Sequence, residues 1–226
     1  MSLSAVQSEF VSIPVGFEMV AIIVASACGV LTAREHHLDL VGSISLGVVC
    51  SLGGGIMRDI ILQVGDVYIL NNPDVLLLAI VVALVVFIFP HPVEKLDPLI
   101  EVLDIFAVGL FAVTGADKAL CYGFAPVIAV MMGFFTGVGG GMIRDMCLAQ
   151  VPRIFRSGSL YAIAAIVGSI VYVLLVGTFG VYDLTAATIG VAVTMIIRWA
   201  SLHYGITSPT DLDIRDLISI FRTMGK

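Results

Sequence analysis

Long apolar runs dominate this chain and restrict its fold more than any other feature. Seven runs of 16 to 27 residues can be counted, at residues 13–33, 38–63, 75–90, 99–119, 123–149, 159–178 and 184–204. A helix of about 20 apolar residues crosses the hydrocarbon core of a bilayer, whereas the strands of a membrane barrel are shorter and alternate in polarity. We therefore predict an all-α integral membrane protein with seven transmembrane helices.

Composition supports this fold class and excludes several functions. Hydrophobic residues make up 59% of the chain, charged residues 12%, and the mean hydropathy is +1.11, outside the range of soluble domains. The net charge of −6 argues against nucleic acid as a partner. The four cysteines lack CxxC spacing, so neither a zinc site nor another metal or cofactor site is predicted. The enzyme motifs HExxH, GxSxG and GxxxxGK are absent, so we do not predict an enzyme.

The distribution of basic residues predicts the orientation in the membrane. With the N-terminus outside, eight Lys and Arg residues fall on the cytoplasmic side and one on the outer side. Cytoplasmic loops accumulate Lys and Arg. We therefore predict an N-terminus outside the cell and a cytoplasmic tail at residues 205–226.

The chain contains an internal duplication. Shifting it by 86 residues superposes Gly53-Gly54-Gly55-Ile56-Met57-Arg58-Asp59 on Gly139-Gly140-Gly141-Met142-Ile143-Arg144-Asp145. This predicts two three-helix repeats, at 13–90 and 99–178, followed by a seventh helix at 184–204, all within one membrane domain. Because three is odd, the repeats are inverted, and in such proteins substrate and ion sites form between matched helices.

The triple glycines fall in the middle of the second and fifth spans. Each glycine costs roughly 1 kcal/mol relative to alanine in a helix, so a kinked or unwound turn is expected there. Upstream of each triplet, small residues recur at a spacing of four. Two interpretations stay open for this pattern, close helix packing and a pore wall made of backbone.

Four charged residues follow the glycines inside the spans: Arg58, Asp59, Arg144 and Asp145. Each costs on the order of 3 kcal/mol within the bilayer, so partners are required. Neighbours at i and i+1 diverge by about 100° on a helix, and we therefore expect pairing between the repeats, Arg58 with Asp145 and Arg144 with Asp59. These residues either form a structural network or line a water-filled path.

Three other charges lie in or near the ends of spans. Glu18 and Asp104 are equivalent under the repeat and lie near helix starts, where the helix dipole favours a carboxylate, so a structural role is expected. Lys118 has no basic counterpart, since Thr32 occupies the matched position. A lone lysine near a helix end usually extends its amine to the interface.

The doubled motif resembles the trimeric intracellular cation (TRIC) channel family, whose bacterial and archaeal members overlap a glycine-transporter-domain family. The resemblance implies a homotrimer in which each subunit has its own pore, bounded by the second and fifth helices and passing K⁺ and, less selectively, Na⁺. It assigns the pore region to Gly53, Gly54, Gly55, Arg58, Asp59, Gly139, Gly140, Gly141, Arg144 and Asp145. Lys118 is similar to a lysine that the family associates with gating.

The short loops and tail look like those of prokaryotic members, which implies the cell membrane. Phosphoinositide binding at the first motif is linked to animal members. The expected partners of this chain are K⁺ and Na⁺ as permeant ions, further copies of the chain, and membrane lipids. A carrier of a small amino acid such as glycine, or of another small anion, is the alternative function, since unpaired arginines at the midplane would suit a carboxylate. A scaffold that transports nothing is the remaining possibility.

Overall fold

A computed structural model describes residues 13–89, 96–156 and 160–206. Its main helices are α1 (Val15–Glu35), α2 (Leu40–Leu62), α3 (Pro73–Ile88), α4 (Leu96–Cys121), α5 (Pro126–Cys147), α6 (Tyr161–Gly177) and α7 (Asp183–Tyr204). A helical turn at Tyr68–Asn71 precedes α3, and a 3-10 turn at Arg153–Phe155 precedes α6. Over these residues the protein is all-α, as predicted. The predicted tail, from residue 207 onward, lies outside the described residues.

The helices have the length and composition of membrane spans. Five of those described, α1, α2, α4, α5 and α7, are long and apolar enough to cross a bilayer. The other two, α3 and α6, are apolar but have only 16 and 17 residues. Each is the third helix of its repeat, so the repeats share this short element. The protein is a helical membrane protein built from two inverted repeats.

Local sequence signals determine where several helices begin and end. The Asp39 side chain caps α2 by accepting a hydrogen bond of 2.7 Å from the Gly42 amide. Pro73 and Pro126 occupy the first turns of α3 and α5, where no amide hydrogen is needed. Gly205 ends α7 with a φ of 62°, a conformation that glycine adopts without strain.

Helices α2 and α5 cross in the centre of the bundle and run antiparallel. The side chain of Ile143 lies over Gly53, and the side chain of Met57 lies over Gly139. These two contacts are equivalent under the 86-residue repeat. As the residue number rises along α2, the contacted residue number falls along α5, which is the order that an inverted repeat requires.

The middle glycines make this crossing possible. A methyl group added at Gly54 would overlap the carbonyl oxygen of Thr136, and one added at Gly140 would overlap the carbonyl oxygen of Cys50. Both helices remain α-helical through their triple glycines, so the expected unwound turn was wrong. The backbone contact between α2 and α5, which only glycine permits, accounts for residues of low helix propensity at these positions.

Candidate functional site

Four charged side chains form a first charged cluster near the end of α2: Glu18, Arg58, Asp59 and Lys118. Arg58 Nε donates to Asp59 Oδ1 at 2.8 Å, and Arg58 Nη2 lies 3.5 Å from Glu18 Oε1. Lys118 Nζ reaches the same Asp59 oxygen at 2.7 Å, which joins α4 to α2. The second Asp59 oxygen accepts the Tyr68 amide at 2.9 Å. Two cations and two carboxylates therefore balance in this cluster.

The second charged cluster consists of Asp104, Arg144, Asp145 and Arg153, near the end of α5. Arg144 is fully buried and bonds to Asp104 Oδ1 at 2.8 Å and to Asp145 Oδ1 at 2.9 and 3.0 Å. Arg153 Nη1 lies 3.1 Å from Asp104 Oδ2, and its amide donates to Asp145 Oδ2 at 2.9 Å. Burial is the largest single influence on Arg153 and disfavours its charge, but Asp104, Tyr161 and Asp145 together outweigh it and raise the pKa of Arg153. These charges also balance.

The expected pairing between the repeats was wrong. Arg58 bonds to Asp59, and Arg144 bonds to Asp145, its own neighbour in sequence. The long arginine side chain bends back far enough to overcome the divergence of adjacent positions. Because α2 and α5 are antiparallel, Arg58 and Arg144 lie beyond their crossing in opposite directions, so each is far from the other repeat's aspartate.

Sequence reasoning undervalued several members of the two charged clusters. Glu18 and Asp104 are the repeat-related carboxylates that face Arg58 and Arg144, so they do more than interact with helix dipoles. Arg153 lies in a loop and was assigned only to the cytoplasmic charge count. The sequence did contain a pattern that predicts these partners. Arginines inside a membrane require acidic partners, and both the arginines and the carboxylates at positions 18 and 104 repeat at an offset of 86 residues. Lys118 likewise forms an ion pair with Asp59 and does not merely extend to the interface.

Two cavities meet at the first charged cluster. The vestibule is bounded by Pro14, Glu18, Arg58, Tyr68, Thr114 and Lys118, at the start of α1. The first cavity adjoins it and is bounded by Glu18, Ser51, Gly55, Arg58, Tyr68 and Phe111, among others. Glu18, Arg58 and Tyr68 belong to both walls. The ion pair between Glu18 and Arg58 therefore separates the vestibule from the first cavity.

A second cavity lies on the other side of the crossing. Its wall includes Cys28, Cys50, Asp104, Phe111, Gly137 and Gly141. The repeat relates Gly55 in the first cavity to Gly141 in the second, and Glu18 to Asp104. The third glycine of each triplet thus borders a cavity, and the middle glycines Gly54 and Gly140 form the crossing, with Gly140 also in the wall of the second cavity. The three cavities lie in series along the bundle.

The residues predicted from the sequence therefore divide into four groups. Those at the helix crossing are Gly53, Gly54, Gly139 and Gly140, and those that border a cavity beside it are Gly55 and Gly141. Arg58, Asp59 and Lys118 belong to the first charged cluster, and Arg144 and Asp145 belong to the second. The structure does not bring the two clusters together, because each lies near the C-terminal end of its own helix and these two helices run antiparallel.

Comparisons with known proteins place the chain in a family. The sequence model of a family described as glycine transporter matches residues 15–91 and 101–177, which correspond to the two repeats. The inner membrane protein YadS of Escherichia coli (strain K12) is 36% identical over 194 residues, which cover 85% of this chain and 93% of YadS. The chain is thus a multi-pass membrane protein with relatives of similar length.

Solved structures agree with this assignment. The TRIC trimeric intracellular cation channel orthologue from Rhodobacter sphaeroides is 33% identical, with a TM-score of 0.79 over 85% of this chain and 98% of that one. A prokaryotic TRIC channel solved in 0.5 M KCl is 27% identical, with a TM-score of 0.76 over 83% of this chain and 94% of that one. The chain therefore belongs to the glycine-transporter-domain family and, within it, to the TRIC channels of the prokaryotic type.

Proposed function

We propose that this protein is a monovalent cation channel that passes K⁺ and, less selectively, Na⁺. The observation that carries the proposal is the series of cavities beside the crossing of α2 and α5. The first charged cluster lies between the vestibule and the first cavity, and Asp104 of the second cluster borders the second cavity. Polar side chains, thiols and glycine backbone lie among the apolar residues that line these cavities, inside a membrane bundle where an isolated polar group is costly. The names of the structural neighbours describe cation channels, which supports the same function.

The charge balance of both clusters favours cations over an anion carrier. Free arginines near the midplane would repel K⁺ and attract carboxylates. Arg58 instead faces Asp59 and Glu18, and Arg144 faces Asp145 and Asp104. Because each guanidinium is neutralised by two carboxylates, neither arginine offers an anion a vacant partner in this arrangement.

We further propose a homotrimer with one pore in each subunit. The vestibule and the two cavities lie between the helices of a single subunit, which supports a separate pore in each. The Rhodobacter sphaeroides neighbour is described as trimeric, which supports the same assembly here. Light scattering on the purified protein should then give three times the chain mass of 23.9 kDa, after subtraction of detergent.

The test of the function is flux into liposomes that contain the purified protein. We expect K⁺ to equilibrate rapidly and without saturation, and Na⁺ more slowly, down their gradients. Labelled glycine, offered to the same liposomes, should not accumulate. Saturable glycine uptake without K⁺ flux would contradict the channel and favour the carrier that the family description names.

Lys118 is our candidate for the gating residue, and its replacement tests that role. The Lys118→Met variant loses the 2.7 Å bond that ties α4 to Asp59, and the first charged cluster then carries a net negative charge. A hydrogen bond between charged groups contributes about 1.5 to 3 kcal/mol, so we expect K⁺ flux to rise roughly tenfold. Lys118→Arg keeps the charge and should stay close to wild type. Equal flux in all three proteins would exclude Lys118 from gating.

We propose that the N-terminus faces outward in the cell membrane, and two native cysteines test this orientation. Cys121 ends α4 and Cys147 ends α5, so the inverted topology puts them on opposite sides. Cys147 is exposed and Cys121 is partly exposed, whereas Cys28 and Cys50 are buried. A membrane-impermeant maleimide should label Cys121 in intact cells and Cys147 only after disruption, with Cys147→Ser as the control. The reverse pattern would invert the proposed topology.

A further inference from the structure

One aromatic side chain stands between the two cavities on either side of the helix crossing. Phe111 borders both the first cavity and the second, and among the described residues it is the only one that these two walls share. It is 6% exposed and packs within the apolar core. An ion or water molecule that moved from one cavity to the other would therefore have to pass this ring.

The position of Phe111 in α4 is central between the two charged clusters. Asp104, Phe111 and Lys118 follow one another at intervals of seven residues. Seven residues make nearly two turns of an α-helix, so successive side chains differ in direction by only about 20°. Each step advances about 10.5 Å along the axis. Asp104 belongs to the second charged cluster and Lys118 to the first, so this face of α4 runs along the path with its apolar residue at the midpoint.

The internal repeat shows that this aromatic residue is not a general requirement of the fold. Under the 86-residue offset Phe111 corresponds to Ala25, which borders the second cavity from α1. Ala25 is 3% exposed, so the equivalent position is equally buried but has only a methyl group. The core therefore accommodates either size at symmetry-related sites.

We propose that Phe111 is the hydrophobic constriction of the conduction path, an inference that rests on the proposed channel function. A phenyl ring offers no ligand to replace the hydration shell of a cation. A narrow apolar segment also expels water, which blocks ions without any charged barrier. The charged clusters control entry from each end, and Phe111 determines whether the two cavities are joined by water.

The experiment compares Phe111→Ala and Phe111→Leu with wild type in two readouts on the same proteoliposomes. Osmotic shrinkage measures water permeability, and K⁺ efflux measures conduction. Phe106→Ala is the matched control, because Phe106 lies on the same helix, packs against the core and borders neither cavity. Size-exclusion chromatography selects folded protein before reconstitution.

We expect Phe111→Ala to raise both water flux and K⁺ flux about tenfold, because a smaller side chain lowers the barrier to filling the constriction with water. The rise should be smaller in Phe111→Leu, and Phe106→Ala should show none. Folded Phe111→Ala protein with wild-type flux in both readouts would overturn the constriction. Water flux that rises without K⁺ flux would uphold the constriction and contradict the cation channel. If Phe111→Ala does not fold, Phe111→Leu decides by the same criteria.

Discussion

Replacing Arg144 by methionine should cost about 3 to 5 kcal/mol of stability, the range measured when one partner of a buried ion pair is removed. Arg144 is 0% exposed and bonds to both Asp104 and Asp145. Without it, Asp145 keeps only the amide of Arg153 among the hydrogen bonds and ion pairs of the described residues. A carboxylate left in this position is both buried and uncompensated. Thermal denaturation in detergent, followed by size-exclusion chromatography, measures the loss.

Arg58 is the equivalent of Arg144 in the first repeat, so Arg58→Met is the matched control. We expect it to reduce the stability by a smaller amount, about 1 to 2 kcal/mol. Asp59 would retain Lys118 at 2.7 Å, and the Glu18 side chain is 21% exposed and can be solvated. Asp145→Asn added to Arg144→Met should recover part of the stability, because it removes the unpaired charge. Equal losses of stability in the two arginine variants would contradict the compensation that we assign to Lys118 and to the partly exposed Glu18.

Gly54→Ala should disrupt the bundle by overpacking, which costs about 1 to 3 kcal/mol in an adaptable core and more against backbone. The added methyl would overlap the carbonyl oxygen of Thr136, which belongs to the main chain of α5 and cannot rotate away. The overlap can be removed only if α2 and α5 move apart, which would break the contact that holds the two repeats together. We expect little folded protein from expression and a lowered melting temperature.

Gly55→Ala is the matched control, one residue further along the same helix. Its added methyl would have Arg58 Nη2 as its nearest neighbour at 3.9 Å, an ordinary contact. Since alanine is favoured over glycine in a helix by up to about 1 kcal/mol, stability should be unchanged or slightly higher. A normal yield and melting temperature for Gly54→Ala would show that the helices can shift apart, and would contradict the rigid crossing.

Some features were predictable because they depend on the chain alone. Apolar runs of about 20 residues determine a helical membrane protein, since the bilayer leaves each backbone group no other partner. The offset of 86 residues between the two glycine motifs determines a duplication, and three helices in each unit determine its inversion. The chemistry of the site, glycine followed by arginine and aspartate, was also predictable, because charges are rare inside a bilayer and call for an explanation.

The arrangement of those charges was not predictable in the same way. From the sequence, Arg58 of one repeat and Asp145 of the other were expected to form an ion pair. In the structure α2 and α5 cross antiparallel, which places these two residues on opposite sides of the crossing. The same crossing explains why Gly54 and Gly140 preserve continuous helices, where propensity alone favoured a break. The low helix propensity of glycine, about 1 kcal/mol per residue relative to alanine, is outweighed by the close packing of the two helix backbones.

Membrane insertion, the repeat and its inversion were thus determined by the sequence, since each follows from hydrophobicity, spacing or parity along the chain. The tertiary structure decided which carboxylate neutralises each arginine, which glycine faces a cavity, and that Phe111 borders both of the central cavities. These properties depend on how far α2 and α5 approach and at what height they cross. Residues far apart in the sequence together determine both the distance between the two helices and the height of their crossing, so no single segment specifies either.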